Sequence, residues 1–231
     1  MENFVLKSTK TKFLFFITVL AVLLLTAFFV FAYSPYYTHP DLTEEIAELF
    51  NLKTANPDLK ISVNEIQWIR KGAIDEDEAP RWINHFYDPV YKEGWKGRHF
   101  GGLTQEQGLY KGESMAPKPA IASIDWATNQ EYQSVYGRQY GNQTWQKAIK
   151  SYIDGDKKSA FIALGHILHL IEDVSVPDHT RNDTHADLYG DPGSPYEEYS
   201  KKYTNFNKLN IAENFKNKPL LNFLTIQSAF E

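Results

Sequence analysis

Cysteine is absent from the chain. That excludes disulfides and thiolate metal sites, so any bound metal has to be held by nitrogen and oxygen. Lysine and arginine do not cluster beyond the amino terminus, and the formal net charge is -5. Both argue against a nucleic-acid duplex as dedicated partner. There is no Gly-x-Ser-x-Gly, so no side-chain nucleophile of that type is expected. Gly190 and Gly193 belong to no phosphate loop, since neither Gly-Lys-Ser nor a preceding strand accompanies them. No internal repeat and no alternating strand run is found. The class expected is all-α.

What remains is rich in aromatics, with 14 Tyr, 15 Phe and 5 Trp in 231 residues. That length suits a leader and one compact domain. Lys7, Lys10 and Lys12 precede an apolar run from Phe13 to Tyr33. A basic flank before an apolar core reads as an export signal. The run is also long enough to span a bilayer as a retained anchor, with the lysines in the cytoplasm. Cleavage after Ala32 is the competing outcome. Residues 1–33 are therefore read as signal peptide or membrane anchor, with a slight preference for the anchor. Residues 34–231 are read as the domain. Either way the domain is expected to be extracytoplasmic, which the lack of cysteine permits.

Four of the seven histidines fall between His166 and His185. His166, His169 and Asp173 share one face of a helix expected over about Lys157–Val174. Pro177 breaks that helix, and His179 follows the break. An imidazole and a carboxylate one turn apart, with a third ligand past a turn, is a way to build part of a zinc site. The rival reading is a core helix with internally bonded histidines. Three histidines and an aspartate converging on one place favour the metal, because burying them unpaired is costly.

Further helices are expected from Thr43, as N-cap, through Phe50, and over Ser62–Ala73, Pro119–Asn129 and Gln143–Ile153. Another opens at Tyr196. His39 is placed in an extended segment before the first. Asp75-Glu76-Asp77-Glu78 reads as a solvated acidic loop, followed closely by Asn84-His85-Phe86-Tyr87-Asp88-Pro89. Residues 91–118 read as a long surface loop with His99 unligated, and 132–141 as a turn-rich connector.

At these residues the chain resembles the bacterial zinc-dependent phospholipase C family and, more distantly, the single-strand-specific nucleases of the same fold. The resemblance lies in His169-x3-Asp173-x5-His179 with Pro177 inside it, in the acidic segment before His85-Phe86-Tyr87-Asp88-Pro89, and in Tyr196-Glu197. It runs from about His39 to Tyr199 and implies a compact helical domain whose cleft holds zinc. Carried over, it implies one zinc held by Asp77, His85, His169 and Asp173, and a second by His179, His185 and Glu197. A third would share Asp173 with His39 and the mature amino terminus. Asp75 competes with Asp77, and the distance from Pro80 favours Asp77. Asp77 is also the implied catalytic residue, orienting the attacking water. His166 has no ligand role in the pattern and reads as a supporting or core residue.

The chain departs from the family in three places. The family opens on a tryptophan, where cleavage here would expose Tyr33. The loop between His179 and Glu197 is longer. Family members continue for several helices beyond the glutamate, whereas this chain stops at Glu231, so it reads as a fragment or a shortened member. Two or three zinc ions are expected, the third weakly occupied if the anchor is kept. Clustered zinc suits phosphoester hydrolysis. The function implied is a zinc phosphodiesterase, a phospholipase C acting on phospholipid at a membrane. The alternatives are a single-strand nuclease or nucleotidase, and a non-catalytic membrane-anchored zinc-binding domain.

Overall fold

The acidic run after Ala73 is not a solvated loop. It belongs to a helix, α2 (Val63–Glu76), which extends three residues beyond the expected end and carries Asp77 at its C-cap. Asp75, Glu76 and Asp77 are all buried. The start of α2 is fixed by a capping box, in which Ser62 and Glu65 each bond the other's backbone N–H.

A computed structural model of the chain describes residues 38–78, 81–95, 120–181, 194–206 and 210–218. The expected leader lies outside them. Among the described residues no helix is long and apolar enough to cross a membrane. They are mostly helical, and their one ladder-like contact is an isolated bridge between Asp88 and Glu93. The all-α expectation therefore holds.

The first helix, α1 (Thr38–Lys53), already includes His39 and Pro40, so His39 is helical rather than extended. A proline is tolerated there because first-turn N–H groups have no intrahelical partner. Thr43 is not the N-cap but a buried residue inside α1. After α2, residues 81–84 form a 3-10 turn and residues 85–87 have no regular secondary structure. Tyr87 N–H donates to the His179 carbonyl at 3.1 Å, and Ser123 N–H to the Phe86 carbonyl at 3.0 Å. Trp95 is buried, although its segment reads as surface loop; residues 96–118 lie outside the described residues.

Helices α3 (Ser123–Thr128) and α4 (Gln130–Tyr136) follow. The second replaces part of the expected connector. Asn129 nucleates it by accepting the Tyr132 N–H. Helix α5 (Trp145–Ile153) is capped by Thr144 and followed by Gly155 at φ +83°, a left-handed position that suits glycine. Helix α6 (Lys157–Asp173) begins on Asp156 and ends as its pattern predicts. Pro177 then starts a new short helix, α7 (Pro177–Thr180), at its first position. Helices α8 (Pro195–Phe206) and α9 (Ile211–Phe215) complete the described part.

Helix α6 is the hub. Ile167 and Leu170 enter one core with Tyr87, Ile124 and Trp126. Leu164, Leu168 and Phe161 pack on a second core, around Ala47, Ile66 and Ile69. A third stripe carries Gly165, His166, His169, Glu172 and Asp173, all buried. Its most extensive packing is against α2, where Gly165 lies on Gly72. That close crossing brings the stripe alongside the C-terminal end of α2.

Candidate metal centre

Asp173 is the focus. Its carboxylate oxygens are buried and accept no hydrogen bond, yet four imidazoles stand around them. His85 Nδ1 lies 2.8 Å and His169 Nε2 3.2 Å from Oδ2. His179 Nδ1 lies 3.0 Å and His39 Nε2 3.2 Å from Oδ1. Donor atoms this close without hydrogen-bond alignment could hold a metal ion. Buried orphaned polar groups are rare because each costs roughly 1–3 kcal/mol.

His169 shares α6 with Asp173, and the other donors come from different elements. His169 Nδ1–H donates to the Ala73 carbonyl of α2 at 2.7 Å, which turns Nε2 toward Asp173. Asp77 extends from the C-cap of α2, with Oδ1 3.6 Å from His169 Nε2 and 3.9 Å from His85 Nδ1. Its other oxygen is buried without a hydrogen bond. Asp75 is engaged elsewhere, by Lys71 Nζ at 2.5 and 2.8 Å. His85 sits on the irregular segment directly after the 3-10 turn. His179 comes from α7, and its Nε2 is 3.7 Å from Glu197 Oε1 of α8.

Among the described residues, two sets of donor atoms are close enough to hold an ion: Asp77, His85 and His169, and His39, His169 and Asp173. Asp173 touches both. Of the residues the sequence singles out, the structure gathers His39, Asp77, His85, His169, Asp173, His179 and Glu197. His185 and His99 lie outside the described residues.

The local field is strongly coupled. Burial pulls His85 down, but Asp173, with help from Glu76 and Asp77, holds it up to about 10. His39 is likewise raised, burial being outweighed by Asp173 and Glu172. Asp173 goes well below the usual carboxylate range, since the four imidazoles outweigh its burial. Burial pushes Glu197 up to about 9, with repulsion from Asp173 and Asp178 adding to it.

Two supporting carboxylates went unrecognised in the sequence. Glu76, fully buried, accepts from Arg81 Nε at 2.8 Å, Trp126 Nε1 at 2.7 Å and His166 at 2.5 Å. Burial and then Arg81 push His166 down to about 4, so it is neutral and donates its Nδ1–H. This fits the supporting role read for His166. Glu172 accepts from His39 Nδ1 at 2.7 Å and from Thr43 Oγ1 at 2.8 Å. The only sequence signal for either was an acidic residue next to a proposed ligand.

The residues fit a metal ion. The donors are imidazole and carboxylate, which suit zinc and related transition metals. Neither a family model nor a curated protein matches the chain.

Proposed function

We propose that this chain is a zinc-dependent phosphodiesterase, with a phospholipase C reaction as first choice. The observation that carries the reading is Asp173, a buried carboxylate with no hydrogen bond to either oxygen among four imidazoles. The spacing of His169, Asp173 and His179 around Pro177, and its resemblance to zinc phospholipases C, supply the reaction class. Asp77, His85, His169 and Asp173 would hold one ion. His179 and Glu197 would contribute to a second, with His185. His39 and Asp173 would contribute to a third.

A zinc ion held by these residues would supply Lewis acidity toward a phosphoryl oxygen and a bound water acidic enough to react near neutral pH. The chain's own residues have three tasks. Ala73 O and the α2–α6 crossing fix His169. The bonds from Tyr87 to His179 O and from Ser123 to Phe86 O hold the segment that carries His85. Asp77 Oδ2, which has no hydrogen bond, orients the attacking water and accepts its proton. The apolar run from Phe13 to Tyr33 supports an extracytoplasmic location, next to the lipid substrate.

The test is product analysis of zinc-loaded protein on phosphatidylcholine vesicles and, separately, on single-stranded DNA. Diacylglycerol with phosphocholine is expected. Nucleotides without lipid cleavage would move the assignment to the nuclease reading. Bound zinc with neither product would leave a zinc-binding domain without catalysis.

A further inference from the structure

Glu172 and Asp173 are consecutive, both buried, and used differently. Asp173 accepts no hydrogen bond. Glu172 is spent: Oε2 takes His39 Nδ1 and Oε1 takes the Thr43 hydroxyl. An ionised carboxylate only accepts, so His39 must be the donor through Nδ1–H. In the neutral ring that a metal requires, the proton on Nδ1 leaves the lone pair on Nε2, the atom that lies 3.2 Å from Asp173 Oδ1. The His39 ring also stacks on His169, with centroids 3.7 Å apart.

We propose that Glu172 is a positioning residue, which fixes the tautomer and tilt of His39 so that Nε2 is presented, beside His169 and Asp173, to a metal ion. The proposal rests on the metal reading above. Thr43, one turn after His39 on α1, locks the other oxygen and keeps the carboxylate from swinging to the metal itself. A carboxylate behind a ligating imidazole raises its basicity and removes its rotational freedom. Losing such a partner typically weakens metal binding about 10–100-fold.

The experiment uses the full chain and measures zinc affinity by chelator competition, ion by ion, with the absorption spectrum of the cobalt(II) form as second readout. Glu172→Ala is expected to weaken one ion by about 10–100-fold and to change the cobalt spectrum. Glu172→Gln keeps an oxygen for the Nδ1–H but loses the charge, and is expected to fall between. It also guards against a variant that fails to fold. In a His39→Ala background, Glu172→Gln is expected to cause no further loss, because Glu172 acts through His39. Unchanged affinity in Glu172→Ala, or an equal loss with and without His39, overturns the proposal while leaving the metal reading intact. A wild-type chain that takes up no metal overturns both.

Discussion

Gly72 and Gly165 meet backbone to backbone. A Cβ on Gly165 would stand 2.0 Å from the Ile69 carbonyl oxygen, and one on Gly72 equally close to that of Ile162. Neither neighbour is a flexible side chain that can give way. Gly165→Ala is therefore expected to force α2 and α6 apart and to destabilise the fold by about 1–3 kcal/mol or more. The shift also separates His169 from Asp77. Denaturant titration checks the first effect and metal analysis of the folded fraction the second.

Asp173→Asn keeps the size of the side chain and removes the charge around which the histidines gather. Metal content is expected to fall at more than one ion. Glu198→Gln, at an exposed neighbour of Glu197, is expected to leave it unchanged. Chelation should lower the melting temperature of the wild type and spare that of Asp173→Asn. Metal analysis and thermal melts of the three proteins check this. Equal loss in both variants would mean that the register of α8 at the site is misassigned.

Arg81 and Glu76 form a fully buried pair at 2.7 Å, and Arg81 also lies over the Trp126 ring. Arg81→Met removes the cation and leaves an uncompensated carboxylate in the interior. A loss of about 3–5 kcal/mol is expected. Adding Glu76→Gln should recover part of it, and a double-mutant cycle of unfolding free energies measures how much.

Glu65 lies below its ordinary value of 4.5, because bonds from Ser62 and Lys157 outweigh its partial burial. A lowered folded value means that the stabilisation is present above about 4.5 and fades as the pH falls through the folded value. Wild type and Glu65→Gln should therefore differ in stability at neutral pH and converge in acid. Unfolding curves across pH 2–7 check this; a gap that widens in acid would contradict it.

The sequence made α6 legible because its apolar and polar residues separate cleanly at helical period, and because His169, Asp173 and His179 sit at spacings that only a helix followed by a turn brings together. It was mute about what α6 meets. Asp75 to Asp77 read as solvent-exposed from charge alone, since nothing local reveals that Trp126 and His166 arrive from distant positions to bond Glu76, beside the Arg81 cation five positions on. Thr43 shows the same limit. Its type and its acidic followers suit an N-cap, but Glu172, 129 positions away, claims its hydroxyl. The short helix α4 was lost among turn-forming residues, although Asn129 was there to cap it.

The bond between His39 and Glu172 spans 133 positions of the chain. An ion held by His39, His169 and Asp173 would fasten the same two regions. In a protein with no cysteine, such an ion is the available cross-link, closing a loop across most of the described domain. Its entropic benefit comes from restricting the unfolded chain, as a disulfide's does. Unlike a disulfide, it can be withdrawn by a chelator and restored without redox chemistry. The supply of metal would then set how tightly the first helix is tethered to the rest.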